Sequence, residues 1–219
     1  MGMALQGIMF DNDGTIVDTY DLILSSMHYA TETVLGREFS DDELMALVGT
    51  PLETQMAHFA KGDEALRVEL TRVYRTHNHE HHDAMVSLYD GVAEGLAELK
   101  AHGLPLAVVT SKRHGLAQRG LEIVGVWQYF DFLIGTDDCE TSKPDPGPIL
   151  LGTQHMGLDP KDCMYVGDSP FDIKAGNAAG CTTMAALWGM FSEEELSKEM
   201  PDYACASFLE FVELALRLM

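Results

Sequence analysis

The sequence predicts an α/β fold: a Rossmann-like parallel sheet forms the core, and an all-helical segment is inserted near its beginning. Three observations support this. The apolar run 8–10 ends in two aspartates, residues 18–86 show helical spacing with no convincing strand, and from residue 92 helices alternate with short apolar strands. Such alternation is typical of a parallel sheet with helices on both faces. We expect a core of residues 1–17 and 87–219 and a helical insert of residues 18–86.

The opening strand predicts a concentration of negative charge at one edge of the sheet. It is followed directly by Asp11 and Asp13 and then by Gly14, which lets the chain turn. Two carboxylates this close repel unless a cation or a difference in protonation separates them. A calcium loop is excluded, because the glycine comes too early and Leu22 stands where the bidentate glutamate is required. The stretch indicates a metal site, acid–base chemistry or both, and a solvated acidic turn is the alternative.

Signals for helices follow one another through the insert. Residues 23–34 carry apolar side chains at helical spacing, and Gly36 is a typical helix end. Ser40 opens a capping box, and residues 50–53 repeat that pattern with proline at the first helical position. Asp63 begins a third predicted helix, which is longer.

The remainder of the chain alternates between helices and strands. The predicted helices are 92–102, 116–124, 149–156 and 173–179, the predicted strands are 105–109, 132–134, 163–166 and 182–187, and short elements continue to residue 219. In parallel sheets, ligands bind at the carboxyl ends of the strands. Other functional side chains are therefore expected where these strands end.

Polar residues do follow several of these strands. Thr110 and Ser111 can hold a phosphate or simply cap a helix, and Lys143 lies in a proline-flanked loop, although most lysines are surface charges. Asp168 and Asp172 lie four residues apart at the start of a helix, where they can share a site or only cap the helix. Each signal alone is ambiguous.

Together, the ordered motifs Asp-x-Asp-Gly-Thr, strand-end Thr, Lys-Pro and Gly-Asp-x-x-x-Asp resemble those of the haloacid dehalogenase superfamily of phosphohydrolases. The resemblance covers nearly the whole chain. It implies a haloacid dehalogenase-like fold in which the insert is a mobile helical cap. Asn12 departs from the apolar residue often found between the two aspartates, but only its backbone amide is needed there.

The resemblance also implies a role for each motif residue. Asp11 would attack phosphorus and form an aspartyl phosphate, and Asp13 would protonate the leaving group and then activate water. The residues expected to bind the phosphoryl group are Asn12, Thr110, Ser111 and Lys143. The residues expected to bind Mg²⁺ are Asp11, Asp13 through its backbone carbonyl, and Asp168, with Asp172 supporting the metal directly or through water.

Within the superfamily, the insert is most similar to that of phosphoglycolate phosphatases and the related bacterial pyrophosphatases. Residues 48–52 resemble a cap loop of both, and residues 74–83 favour the pyrophosphatases. Arg75 and His77 are candidates for contacting substrate from the cap. The histidines of this segment also suggest zinc, but a solvated helix end is the simpler interpretation. We expect a phosphatase of small phosphometabolites, similar to phosphoglycolate phosphatase; inorganic pyrophosphatase, sugar-phosphate mutase and inactive phosphate-binding protein are the alternatives.

Composition limits the possible partners. The net charge of −21 disfavours nucleic acid and anionic membranes, while 46% hydrophobic residues suffice for a packed core. The four cysteines show no C-x-x-C pair and are typical of reduced thiols. No signal peptide or bilayer-spanning run is apparent. We expect a cytoplasmic protein, monomeric or weakly dimeric, whose partner is a small phosphate substrate.

Overall fold

The computed structural model describes residues 4–219, and within this range six strands form one parallel sheet. Their order is β5-β4-β1-β6-β7-β8, with β1 near the centre. The strands are β1 (Gly7–Phe10), β4 (Leu106–Val109), β5 (Phe132–Ile134), β6 (Cys163–Gly167), β7 (Thr182–Ala186) and β8 (Tyr203–Cys205). The predicted parallel sheet is confirmed.

Helices make up the insert and cover the sheet. The insert contains α1 (Tyr20–Leu35), α2 (Asp41–Met45), α3 (Leu52–Ala60) and α4 (Glu64–Met85). The core helices are α5 (Val92–Ala101), α6 (His114–Ile123), α7 (Gly147–Met156), α8 (Pro170–Ala179), α9 (Glu193–Ser197) and α10 (Phe208–Leu218). Short 3₁₀ turns occur at Trp127–Tyr129 and Pro160–Asp162.

An antiparallel pair of short strands, β2 (Val17–Asp18) and β3 (Ser87–Leu88), lies where the chain enters and leaves the insert. Val17 pairs with Leu88, and Asp18 pairs with Ser87. The pair brings the two connections side by side, which the sequence did not predict. Because it follows Asp13 so closely, it ties the insert to the core beside the strand end that carries the aspartates.

The core is organised around β1, whose side chains are buried on both faces of the sheet. On one face Phe10 contacts the rings of Phe130, Phe208 and Phe211, with centroids 5.6 to 6.2 Å away. On the other face Met9 packs in a separate cluster that includes Tyr165. This packing fixes the end of β1, and hence the position of the aspartates that follow.

The insert has an apolar cluster of its own, built from α1 to α4 and including Met27, Leu44, Met56 and Leu70. Two residues of the core, Met190 and Phe191, pack against this cluster. The helical insert therefore rests on the core in this conformation.

Two local features differ from the sequence predictions. The capping box expected at residues 50–53 is wrong: α3 begins at Leu52, and the Thr50 hydroxyl donates to the Leu47 carbonyl instead. The short elements expected after residue 187 include the eleven-residue helix α10 and the strand β8. The opening strand agrees with its prediction: it ends at Phe10, and the amide of Asp11, which follows directly, still donates to the Val166 carbonyl of β6 at 2.9 Å.

Other sequence-based expectations agree with the structure. Helix α1 ends at Gly36 in the left-handed conformation, and Ser40 and Asp63 cap α2 and α4. Cys163, Cys181 and Cys205 are buried free thiols, and Cys139 is partly exposed. Among residues 4–219, no helix combines the length and apolarity needed to cross a bilayer.

Replacing Phe10 with alanine should lower the free energy of unfolding by about 3 to 5 kcal/mol, because it removes a ring packed among three others. Urea unfolding measures the change. Leu150→Ala, at a residue 40% exposed on α7, is the control and should change stability by about 0.5 kcal/mol or less. Equal losses in the two variants would show that β1 is not the packing centre.

Candidate active site

Three parallel strands deliver polar side chains to one edge of the sheet. Asp11 follows β1, Thr110 follows β4, and Asp168 follows β6, and all three are buried. The three strands are neighbours in the sheet, so their carboxyl ends meet. The expectation that the strand-end motifs converge therefore agrees with the structure.

Lys143 is the buried cation of this site, with only 2% of its surface exposed. Its ammonium lies 2.5 Å from Asp172 Oδ1 and 3.0 Å from Asp11 Oδ1, and it also donates to the Tyr165 hydroxyl at 3.0 Å. Burial alone would lower the pKa of Lys143, but the carboxylates of Asp11 and Asp172 hold that pKa well above its usual value. Lys143 is therefore a fixed positive charge.

Asp172 is occupied by hydrogen bonds from the protein. Its Oδ1 accepts from Lys143, and its Oδ2 accepts from the backbone amide and hydroxyl of Ser169, at 3.0 and 2.5 Å. The Tyr165 hydroxyl lies 3.2 Å from Oδ1 and donates to the Val109 carbonyl at 2.8 Å. These contacts suit Asp172 to holding Lys143 in place, with little capacity left for a direct metal bond.

Asp168 is held by the loops on either side of it. The Thr15 hydroxyl donates to Oδ1 at 3.0 Å, and the Met190 amide donates to Oδ2 at 2.8 Å. A Cβ atom on Gly14, whose φ is +82°, would lie 2.1 Å from Oδ2, and one on Gly189 would lie 2.2 Å from the Asp168 Cβ. The two glycines are needed because the backbone approaches the carboxylate so closely.

Burial raises the pKa of both strand-end carboxyls. For Asp11 burial is the main cause, opposed by Lys143 and reinforced by Asp172 and Asp13, and the pKa rises to about 6. For Asp168 burial again comes first, followed by repulsion from Asp172 and Asp11, and the pKa rises well above the usual value. The site is thus short of positive charge.

The site fits a divalent cation. Asp11, Asp168 and Asp172 each offer an oxygen within 4.8 Å of the others; among residues 4–219 they form the one such group of three or more metal-binding side chains. Their three negative charges against the single charge of Lys143 leave an excess of two. Carboxylate oxygens in a compact, buried group are typical ligands of hard divalent cations. The histidines of α4 take no part in this group.

Asp13 stands at the open side of the site and is oriented through one oxygen. Its Oδ1 accepts from Asn12 Nδ2 and the Thr19 hydroxyl, both at 3.0 Å, and from Lys112 Nζ at 2.8 Å. With Oδ1 occupied, Oδ2 is the atom left for proton transfer. Sequence reasoning found Asp13 but not Lys112.

Two of the four predicted phosphate-binding residues, Thr110 and Ser111, line the same cavity as Asp13, whereas Asn12 and Lys143 are buried and do not line it. Thr110 Oγ1 accepts from the Lys112 amide at 3.2 Å, and Asn12 is buried beside Asp13. The Ser111 hydroxyl instead donates to the Gly49 carbonyl of the insert at 2.7 Å. In this conformation Ser111 joins the core to the insert.

A cavity of about 120 Å³ lies between the core and the insert. From the core it is lined by Asp11, Asp13, Thr110, Lys112 and Asp168, and from the insert by Gly49, Glu53, Tyr74, Arg75, Asn78 and His79. The cavity is small and polar at its floor. It has room for a compact anion rather than a macromolecule.

The two substrate-contact candidates of the insert differ in position. Arg75 lines the cavity, but its guanidinium is paired with Glu53. The His77 ring stacks against Tyr29 and His81, and within the described residues it is not among the cavity-lining side chains. The structure therefore places His77 apart from the reacting groups, because the helix turns that side chain toward α1.

Comparison with known proteins agrees with this architecture. Residues 8–186 match the family described as haloacid dehalogenase-like hydrolases. Pyrophosphatase PpaX of Bacillus velezensis is 36% identical over 90% of this chain and 89% of its own length. A protein of Caldanaerobacter subterraneus subsp. tengcongensis, provisionally named pyrophosphatase PpaX, is 38% identical over 92% and 90%.

Solved structures extend the comparison. A predicted phosphoglycolate phosphatase from Haemophilus somnus has a TM-score of 0.86 and 27% identity, covering 96% of this chain and 97% of its own. A predicted phosphatase from Clostridium acetobutylicum has a TM-score of 0.88 over 98% of this chain and 99% of its own; at 24% identity it supports the fold alone.

A divalent cation such as Mg²⁺ should raise the melting temperature at about pH 7.5, and the rise should shrink as the pH falls below about 6. The pKa of Asp11 is higher in the folded protein than the unfolded value of 3.8, so metal-free stability falls as pH rises between these values. Above about pH 6 the Asp11 carboxylate is ionised and can bind the cation; below it, a proton on Asp11 competes with the cation.

Thermal unfolding with and without Mg²⁺ at several pH values measures this effect. Asp168→Asn should remove most of the shift, whereas Asp162→Asn, at the opposite end of β6, should keep it. An equal shift in both variants, or none at any pH in the unmodified protein, would contradict a metal site at Asp168.

Proposed function

The chain belongs to the haloacid dehalogenase-like hydrolase family, and from this premise we propose that it is a Mg²⁺-dependent phosphohydrolase of small phosphates that works through an aspartyl phosphate on Asp11. Among small phosphates, the substrate that we favour is inorganic pyrophosphate. The observation that carries the proposal is the buried group of Asp11, Asp168 and Asp172, of which Asp11 and Asp172 contact Lys143, with Asp13 at its open side.

Electrostatics supports phosphoryl transfer at this site. A phosphoryl group brings negative charge toward carboxylates, so it needs local positive charge. Lys143 supplies one fixed charge, and Thr110, which lines the cavity, would donate to a phosphoryl oxygen. Bound at Asp11, the Asp13 carbonyl and Asp168, Mg²⁺ would supply the remaining charge neutralisation and orient the phosphoryl group. The net charge of −21 is then compatible with an anionic substrate.

In the first step we propose that an Asp11 carboxylate oxygen attacks phosphorus. A bond forms from Asp11 to phosphorus, and the bond from phosphorus to the leaving oxygen breaks, with its electron pair going to the leaving group. Asp13 Oδ2 donates a proton where that oxygen is basic. Lys143 stays protonated throughout and holds Asp11 in position.

In the second step Asp13 removes a proton from water as the water attacks phosphorus of the aspartyl phosphate. The bond between phosphorus and Asp11 breaks, which regenerates the carboxylate and releases inorganic phosphate. Dividing hydrolysis into two displacements is what a carboxylate nucleophile accomplishes. Asn12 and Thr19 hold Asp13 Oδ1, which would leave Oδ2 free to act in the cavity.

Two substrates are candidates. Pyrophosphate is favoured because relatives 36% and 38% identical over most of their length are named pyrophosphatases. Phosphoglycolate is the second candidate, since a solved structure 27% identical is described as a predicted phosphoglycolate phosphatase. Either molecule is compact enough for a small enclosed cavity. An idle phosphate-binding protein is less well supported, because the full set of hydrolytic side chains converges. A sugar-phosphate mutase would share that set, but the relatives 36% and 38% identical are named pyrophosphatases.

The helical insert, residues 18–86, is proposed to act as a lid over the core formed by residues 1–17 and 87–219. Contacts across the cavity support this role: Ser111 donates to the Gly49 carbonyl, and Gly49 lies against Ser169. Closure would exclude water during the first step. We further propose that the enzyme acts in the cytoplasm as a monomer or weak dimer.

Asp11→Asn should abolish phosphate release from pyrophosphate while the fold stays intact. The amide is nearly isosteric but is not a nucleophile. It also removes the cost of burying a charge at this position, which together with repulsion from Asp172 and Asp13 outweighs the attraction of Lys143. We expect a loss of at least about 10³-fold in kcat, with a melting temperature at least as high as that of the unmodified protein.

Phosphate release and thermal unfolding are the two measurements, with Asp21→Asn on the exposed start of α1 as the matched control. Retention of substantial activity by Asp11→Asn would rule out Asp11 as the nucleophile. Loss of fold in that variant would contradict the assignment of Asp11 as a destabilising buried charge.

A lid over a small cavity predicts strict size selection. Pyrophosphate and phosphoglycolate should be hydrolysed, whereas a folded phosphoprotein should lose phosphate at least about 10³-fold less efficiently. A panel of phosphate-release assays over these substrates checks the prediction. Efficient dephosphorylation of the folded phosphoprotein would defeat the lid proposal, while leaving the chemistry at Asp11 untouched.

A further inference from the structure

Lys112 is a lysine of the cavity rather than of the surface. Its side chain is 11% exposed, and its Nζ lies 2.8 Å from Asp13 Oδ1. It follows Thr110 by two residues, and its amide donates to the Thr110 hydroxyl at 3.2 Å. The ammonium is thus held between the predicted phosphate-binding strand end and the residue that handles the leaving group.

The orientation of the Asp13 side chain does not depend on Lys112 alone. Asn12 Nδ2 and the Thr19 hydroxyl both donate to the same Asp13 oxygen at 3.0 Å. An ammonium carries three N–H donors. Across residues 4–219, Asp13 is the one hydrogen-bond acceptor of Lys112 Nζ, so two of its donors are available to a molecule in the cavity.

The other cations that line the cavity are less available. Arg75 is paired with Glu53, and Arg113 lies near the same carboxylate. Partial burial would raise the pKa of Glu53, but hydrogen bonds from its own backbone amide and from Arg75, together with the charge of Arg113, lower it, so this acid stays ionised. Glu53 therefore offsets much of the positive charge that the two arginines contribute.

We propose that Lys112 determines specificity by recognising a negative charge on the leaving group. The inference rests on the proposed function and narrows its substrate class to small phosphates whose leaving group is itself an anion. The leaving oxygen must approach Asp13 to be protonated, so it also approaches the Lys112 ammonium beside Asp13. An anionic group next to that oxygen would accept the two available N–H donors.

The chemistry of the leaving group explains why a cation is useful there. When hydrogen pyrophosphate (HP2O7³⁻) is cleaved, the bridging bond breaks and its electron pair goes to a departing HPO4²⁻, which already carries a proton and is a weak base. Such a group needs its charge neutralised more than it needs a proton, and Lys112 provides that charge without giving up its own proton. When phosphoglycolate is cleaved, Asp13 protonates the leaving oxygen while Lys112 binds the carboxylate.

The test compares the Lys112→Met variant with the unmodified protein on two pairs of substrates. Phosphoglycolate and ethyl phosphate differ by a carboxylate in place of a methyl group; pyrophosphate and phenyl phosphate differ in the charge of the leaving group. We expect kcat/KM to fall by about 10²-fold for the anionic member of each pair and by about threefold or less for the neutral member.

Lys161→Met is the matched control, because it removes the same charge from a side chain 59% exposed and paired with Asp159. This control should leave kcat/KM unchanged for all four substrates. Lys112→Gln keeps a polar side chain and should show the same selective loss, which keeps the test decisive if the methionine variant does not fold.

The possible outcomes separate this inference from the proposed function. Equal losses on all four substrates would mean that Lys112 only positions Asp13, and unchanged values would mean that it has no role; either result overturns the inference alone. An unmodified protein that hydrolyses none of the four would overturn the proposed function and this inference with it.

Discussion

The ion cluster formed by Lys143, Asp11 and Asp172 is the interaction on which the rest of the site depends. All three side chains are buried, and the lysine lies within 3.0 Å of a carboxylate oxygen of each aspartate. Removing Lys143 would leave two buried carboxylates without their cation, and breaking a buried ion pair in this way typically costs about 3 to 5 kcal/mol. The cluster therefore depends on Lys143, and its geometry is fixed by the end of β1, which carries Asp11, and by the first turn of α8, which carries Asp172.

Even with Lys143 in place, the site has excess negative charge, and that excess suits it to binding a divalent cation. Asp168 joins the cluster at the end of β6, where Thr15 and Met190 hold it in place. A protein could relieve such repulsion by keeping a proton, and the raised pKa of Asp11 and Asp168 shows that tendency. A site that instead binds a divalent cation gains a means of neutralising an incoming phosphate. The same burial that strains the unliganded site thus prepares it for an anionic substrate.

Much of the site could be predicted from the sequence, because its residues follow apolar strands in recognisable motifs. Asp11, Thr110 and Asp168 were found in this way, and parallel strands bring such positions together. Lys112 was not found, since its contact with Asp13 spans 99 positions along the chain and a lysine carries no local sign of burial.

Contacts between residues that are distant in the sequence limit prediction elsewhere in the fold as well. The sequence indicates Arg75 as a candidate for substrate contact, but its pairing with Glu53 depends on how α3 packs against α4. Helix α10 was missed although its buried residues Phe208, Phe211, Val212 and Ala215 have the helical spacing that identified other elements. That signal was present in the sequence, whereas the contacts of Lys112 and Arg75 exist only in the folded chain.

The most direct test of the account is to look for the phosphoryl group on Asp11. Asp13→Asn should still pass through the first step with hydrogen pyrophosphate, whose leaving phosphate already carries a proton, but should be slow in the second, so the intermediate should accumulate. Acid quenching within the first turnover, followed by mass spectrometry of the peptide that contains Asp11, should show one added phosphoryl group on that residue. Release of phosphate by this variant with Asp11 unmodified throughout, or a phosphoryl group on another residue, would contradict the account.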